Sequence, residues 1–170
     1  MAASNLSGER LAESLETSER EGLAPYVALQ PHYNLVERDH YEGELMSVCE
    51  AAGVACLPYF GLARGFLTGK YRRGGPHVDS PRAQAVRDAY LNDRGVAVLD
   101  ALDAVAGETA TSVASVALAW LRSQPTVLAP IASATSVDQL LDLLPAATLE
   151  LGEAQLAALA VASGTPRRGA

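Results

Sequence analysis

Aromatic side chains are scarce in this chain. They make up 5% of its 170 residues, with one Trp and two Phe, so Ala, Leu and Val must fill most of any core. Cysteine is scarcer still. Cys49 and Cys56 alone exclude a small scaffold stapled by many disulfides. Both sit in apolar settings, one in a helical pattern and one in a short strand pattern. That favours buried thiols in a reducing compartment, with a disulfide as the minor alternative. Without a C-x-x-C pair or a nearby His, a metal site has little support. Positive charge is also short: 13 Lys and Arg face 20 Asp and Glu, for a net charge of −7. This disfavours nucleic acid or an anionic membrane surface as the main partner. No apolar run approaches the ~20 residues of a membrane span. The opening MAASNLSGERLAESLETSERE has no apolar centre of the signal-peptide kind. The expectation is a cytoplasmic protein.

What is present reads as a globular α/β chain. Hydrophobic residues reach 49%, which argues against disorder, and the length suits one domain with a real core. Residues 7–21 form an amphipathic helical pattern, with Ser7 able to cap it and Gly22 to end it. Residues 26–30 read as a buried strand. Residues 42–52 are helical, with Gly53 after them, and 54–58 read as a second strand. The spacing is that of a βαβ unit with parallel strands. Residues 61–82 are rich in Gly, Arg and Pro and predict a long loop, of a length commonly functional. Residues 83–107 are helical, with a break expected between Asn92 and Gly95. Residues 112–123 place Val113, Val116, Ala117 and Trp120 on one helical face. A third strand is expected at 126–131. Ser136 to Gln139 form a capping-box pattern opening a helix to about Leu144, and a last helix covers 153–162. The whole chain reads as a single unit, with 163–170 a frayed tail.

Four strings follow strand patterns and put polar or aromatic groups at the strand ends: ASNLS at 3–7, ALQPHYNLVERD at 28–39, LPYFGLARGFLTGKYR at 57–72 and APIASATSVDQL at 129–140. In a parallel α/β array, working groups gather at the C-terminal ends of strands. As a set, the strings resemble the C-terminal half of the aldo-keto reductase family. The resemblance runs from Ala3 to about Leu159 and is strongest at the loop. It implies a partial, half TIM-type barrel, because a complete one needs about eight strands and roughly 200 residues or more. It also implies an oxidoreductase that reduces carbonyls with NADPH, NADH being an alternative.

By the resemblance, Ser4, Asn5 and Gln30 would bond the nicotinamide carboxamide. Tyr59 would stack on the nicotinamide ring. Phe60, Gly61, Leu62, Ala63 and Arg64 would run along the pyrophosphate, with Lys70 near phosphate. Ser133, Thr135, Gln139 and Asp142 would hold the adenosine end. The physical chemistry agrees. Asn and Gln each supply the donor and acceptor that a carboxamide needs. An aromatic face fixes a flat ring. Gly61, Gly65 and Gly69 would let backbone N–H groups approach phosphate, and a helix opening near Ser136 would favour an anion. The sequence departs from the family at Ser133, where Lys or Gly is usual, at Leu143, where Asn is usual, and at Phe60-Gly61, where Ser-Pro is commoner; Gln139, where the family has Arg or Gln, can hydrogen-bond but adds no charge.

On residues alone, plainer roles compete. Ser4 could cap the first helix, Gln30 and Asn34 could satisfy buried backbone groups, and Tyr59 could be core. His32 reads as structural, His40 and His77 as solvated, Arg72 and Arg73 as a solvated charge pair, and Trp120 as core. The motifs bearing the family's catalytic Asp, Tyr, Lys and His do not occur in this sequence, so no catalytic role falls on any residue and the chain alone is expected to be inactive. Beside the reductase reading stand a non-catalytic dinucleotide-binding or assembly module, pairing with itself or another half-barrel, and a gene fragment without independent function.

Overall fold

The computed structural model describes residues 1–164. Three short parallel strands, β1 (Ala2–Ser4), β2 (Ala28–Gln30) and β3 (Ala55–Cys56), form one open sheet in the order β1-β2-β3. Ala2 pairs with Ala28, Ser4 with Gln30 and Leu29 with Cys56. Two crossovers make the strands parallel: α1 (Gly8–Glu21) joins β1 to β2, and α2 (Glu44–Ala52) joins β2 to β3. This is an open α/β sheet of partial-barrel type.

The helix ends follow local chemistry. Ser7 caps α1 by accepting from the Arg10 N–H at 3.3 Å. Gly22 and Gly53 end α1 and α2 with φ near +64° and +63°, a left-handed turn that favours glycine. Helix α3 (Ala83–Tyr90) and helix α4 (Asp93–Thr109) divide at Asn92, whose Oδ1 accepts from the Gly95 N–H at 2.9 Å. A Cβ on Gly95 would sit 1.8 Å from the Tyr90 carbonyl oxygen, so only glycine fits this close approach.

Helix α5 (Val113–Arg122) is buried from Ala114 to Leu121. A helix apolar all round belongs in a core, and Trp120 is 1% exposed. Among the described residues no single helix is long and apolar enough to cross a membrane; α4 and α5 reach that measure only as a pair bent by 96°. Helices α6 (Val137–Leu143) and α7 (Glu153–Ser163) follow. Two arginines close the end of α7. Arg38 donates to Ser163 Oγ at 2.8 Å and Arg94 to the Ser163 carbonyl at 2.7 Å, as cations at a helix C-terminus favour. Arg38 also pairs with Glu42, which accepts from the Tyr33 hydroxyl at 2.8 Å. The segment after β2 is thereby fastened to the far end of the chain.

The structure differs from the sequence-based expectation in several places. Residues 126–131 are not a full strand. One parallel bridge pairs Val127 with Cys56, and the Leu128 and Ile131 N–H groups bond the Cys56 and Pro58 carbonyls at 2.9 Å. Thr126 has φ +66° and Pro130 has no N–H, so the ladder cannot extend. The expected loop begins with two 3₁₀ turns, Ala63–Thr68, kinked at Arg64 and Gly65. The expected frayed tail falls largely on residues 165–170, outside those described; Ser163 closes α7 and is buried. Both cysteines are free and buried.

Candidate functional site

Parallel pairing brings the C-terminal ends of β1, β2 and β3 side by side. Ser4 ends β1 and its Oγ donates to the Gln30 carbonyl at 3.0 Å. It therefore ties two strands and does not cap α1. Asn5 follows, with φ +56°; its Nδ2 donates to Ser4 Oγ at 3.1 Å, and its Oδ1 accepts from the Tyr59 hydroxyl at 2.9 Å. A continuous hydrogen-bonded path thus runs from the end of β2 through β1 to the segment after β3. The Gln30 carboxamide makes no hydrogen bond among the described residues, which leaves both its donor and its acceptor free.

Tyr59 is half-buried rather than core. A parallel bridge pairs it with His32, and the Tyr59 N–H bonds the Pro31 carbonyl at 3.0 Å. The two rings stack at 5.3 Å and 18°, and Phe60 stands edge-on to both. His40 stacks on His32 in turn, 6.0 Å away. Asn34 is fully buried beneath them and satisfies backbone groups. Its Oδ1 accepts from the Val36 and Glu37 N–H groups at 2.9 and 3.0 Å, and its Nδ2 donates to the Phe60 carbonyl at 2.9 Å. Burial pushes His32 below its ordinary pKa; Glu37 opposes this, while His40 and Arg64 add to it. The aromatic group around His32 had no signal in the sequence beyond the Pro-His-Tyr string. Cross-strand register creates it.

The next turns carry an unusual backbone. Phe60, Ala63 and Arg64 have φ of +53°, +48° and +56°, a region that costs a non-glycine residue roughly 1–2 kcal/mol. Gly61 is buried against α5, where a Cβ would meet Leu121 at 3.0 Å and Leu118 at 3.2 Å. Glycine in place of the family's commoner proline thus has a packing reason. Leu62 is half-buried, Ala63 buried, and Arg64 and Lys70 exposed. The expected backbone cradle differs from the one found. The Gly65 N–H bonds the Leu62 carbonyl at 2.9 Å and the Gly69 N–H bonds the Phe66 carbonyl at 3.2 Å, so these amides are committed to turns. Cations remain available instead. Arg64 lies 4.9 Å over the Phe60 ring and Lys70 lies 5.4 Å over Tyr71, and neither has a carboxylate partner among the described residues. Arg72 and Arg73 are not simply solvated: they pair with Asp103 at 2.7 Å and Asp93 at 2.6 Å.

The expected adenosine-side residues form a separate, exposed group. Gln139 Oε1 accepts from the Thr135 N–H and hydroxyl, both at 3.0 Å. Ser136 caps α6 by accepting from the Gln139 N–H at 3.2 Å. The capping box is thus half formed, because the return arm reaches Thr135 rather than Ser136. Asp142 contributes its backbone carbonyl, which accepts from Ser112 at 2.7 Å and Ser115 at 2.5 Å. The Ser133 side chain makes no hydrogen bond among the described residues. No group of three or more His, Cys, Asp or Glu among the described residues could hold a metal ion. A cleft of about 460 Å³ lies at the opposite strand ends, beside Met1, Arg10, Leu23 and Tyr26. At the strand-end site Ser4, Asn5 and Phe60 are exposed, and Gln30 and Tyr59 are half-buried.

Comparison with known proteins gives this arrangement a family. The aldo/keto reductase family model matches residues 2–163. The chain belongs to the aldo/keto reductase family, whose members are oxidoreductases that bind nicotinamide cofactors. It is 30% identical over 158 residues to a protein described as a "probable voltage-gated potassium channel subunit beta" of Oryza sativa subsp. japonica, covering 87% of this chain and 48% of that one. Against L-glyceraldehyde 3-phosphate reductase of Escherichia coli (strain K12), identity is 30% over 142 residues, covering 81% and 41%. Against aldo-keto reductase AMT2 of Alternaria alternata, it is 27% over 157 residues, covering 90% and 41%. The chain spans about half the length of the curated relatives it matches.

Proposed function

We propose that this chain is the dinucleotide-facing portion of an NADPH-dependent carbonyl reductase. One observation carries the reading: three strand ends bearing Ser4, Asn5, Gln30 and Tyr59 are joined by a single hydrogen-bonded path. The free Gln30 carboxamide suits the nicotinamide amide, with Ser4 and Asn5 beside it. The Tyr59 ring suits the flat nicotinamide. Residues 60–64 would follow the pyrophosphate. Arg64 and Lys70, which have no carboxylate partner among the described residues of a chain of net charge −7, suit its charge. Backbone strain at Asn5, Phe60, Ala63 and Arg64 supports a working site, since such strain clusters where ligands bind.

The fit is poorer at 133–142, where Gln139 is engaged with Thr135; Ser133, Thr135, Gln139 and Asp142 would contact adenosine without adding a cation. NADH is therefore the alternative cofactor. The bound cofactor supplies hydride. Protonation of the carbonyl oxygen falls to the family's Asp, Tyr, Lys and His group, whose motifs are not among these residues.

A titration of the chain with NADPH, followed by calorimetry, tests the proposal. We expect binding in the high-micromolar range or weaker, because an open surface buries little of its ligand. Mixing with NADPH and a panel of aldehydes and quinones should give no turnover. A folded chain that ignores millimolar NADPH and NADH contradicts the cofactor role, and turnover that survives repurification contradicts the assignment of catalysis elsewhere.

A second reading, an assembly module pairing with itself or another half-barrel, is favoured by α6. Val137, Leu140, Leu141 and the following Leu144 are exposed at helical spacing. Light scattering after size exclusion tests it: a dimer or larger species supports it, and a monomer opposes it.

A further inference from the structure

Tyr59 has a partner on one face, and that partner is held as firmly as Tyr59 itself. The bridge between His32 and Tyr59 sets the two residues opposite one another on adjacent extended segments. Their rings stack at 5.3 Å and 18°. Phe60 braces both edge-on, at 5.4 Å from His32 and 5.1 Å from Tyr59. Asn34 then fixes His32. Because Asn34 Oδ1 accepts from two backbone N–H groups, its Nδ2 must face the Phe60 carbonyl and His32 Nε2, the latter at 3.4 Å. An amide nitrogen only donates, so this contact suits a His32 ring whose Nε2 carries no proton. A protonated ring would set two donors against each other. The charged and titratable groups acting on His32 are Glu37, His40 and Arg64.

We propose that His32 is a positioning residue for the cofactor: it backs one face of Tyr59, fixes the plane of that ring, and leaves the other face for the nicotinamide. The proposal rests on the cofactor reading above and adds a residue to it. The mechanism is preorganisation. A tyrosine free to rotate must lose that freedom when a flat ligand stacks on it, whereas a backed one has already lost it on folding. Glu37 and His40 stand behind the stack, 3.6 Å apart. His40 extends it by one ring.

The test uses the chain itself, NADPH as the probe and nicotinamide fluorescence as the readout. The variants are His32→Ala, His32→Phe, Tyr59→Ala and the double substitution His32→Ala with Tyr59→Ala, each checked for folding by circular dichroism. Loss of one aromatic pair corresponds to about a two- to twelve-fold rise in Kd, expected for His32→Ala. His32→Phe, which keeps a ring behind Tyr59, should bind within about twofold of wild type on the same scale. In the Tyr59→Ala background, His32→Ala should add nothing, since the ring it supports is gone. Unchanged Kd in His32→Ala beside a weakened Tyr59→Ala overturns this proposal alone, as do additive effects. No binding by wild type overturns the cofactor reading and this proposal with it. If His32→Ala does not fold, proton spectra of the wild-type histidine rings decide. An upfield shift at His32 from the Tyr59 ring, altered by NADPH, supports the proposal; its absence overturns it.

Discussion

At the ends of β1, β2 and β3, side chains bond across elements; at 133–142 they bond to their own neighbours. Ser4 reaches Gln30, Tyr59 reaches Asn5, and Asn34 reaches Phe60, at sequence separations of 26, 54 and 26 residues. Gln139 reaches only Thr135, four residues away. The first region is rigid because several elements fix each group at once, and it stores backbone strain at Asn5 and Phe60. The second region is a short exposed helix with its own caps. Residues assigned to one ligand thus divide into a part joined side chain to side chain across strands and a part held mainly through its own caps and through the Asp142 carbonyl, which accepts from Ser112 and Ser115.

The largest effect should come from the scaffold beneath the joined strand ends. Trp120→Ala removes a fully buried ring that packs on Tyr33 at 5.7 Å. It should cost about 3–5 kcal/mol, read as a lower urea midpoint, and it should abolish ligand binding through unfolding. Asn34→Ala comes next. It strands the Val36 N–H, for about 1–3 kcal/mol, while the Glu37 N–H keeps the Asn34 carbonyl at 3.1 Å and the Phe60 carbonyl keeps the Ala63 N–H at 2.7 Å. Unlike Trp120→Ala, it should weaken NADPH binding by more than its stability loss explains.

A smaller effect separates His32 from the rest by pH. Its pKa is below the ordinary 6.5 when folded. Just below pH 6.5 the unfolded chain therefore binds more protons than the folded one, and stability falls as pH is lowered through that window. Comparing urea midpoints at pH 7.5 and 5.5, the loss should be smaller in His32→Phe than in wild type. An equal loss places the sensitivity elsewhere. Gln139→Ala should do least, under about 0.5 kcal/mol of stability, and should lower NADPH affinity less than Tyr59→Ala does. A loss of affinity equal to that of Tyr59→Ala would erase the distinction between the two regions.

Local signals made much of the fold legible. Ser7, Gly22 and Gly53 marked helix ends because capping depends on a few adjacent residues. Asn92 marked the division between α3 and α4 for the same reason. Trp120 was legible as core from its helical face. The strand at 126–131 was overread: β-prone composition cannot reveal that Thr126 and Pro130 stop the ladder. The sequence names Ser4, Asn5, Gln30 and Tyr59 as candidates by residue type, but their connections are visible only in the structure. His32 beside Tyr59 depends on the register of two segments 27 residues apart in sequence, which no local pattern encodes. That Arg64 and Lys70 lack a carboxylate partner among the described residues likewise emerges only from the fold, in which Asp103 and Asp93 take Arg72 and Arg73.

The central claim is that the joined strand ends carry more of the proposed cofactor-binding surface than the 133–142 group does. Amide and side-chain NMR shifts of the ¹⁵N-labelled chain, recorded during titration with NADPH, test it most directly. The account predicts saturable shifts concentrated at Ser4, Asn5, Gln30, His32, Tyr59 and Phe60 and along 61–70, with smaller ones at Thr135 and Gln139. Shifts confined to 133–142, or no saturable shift anywhere in a folded chain, would contradict it.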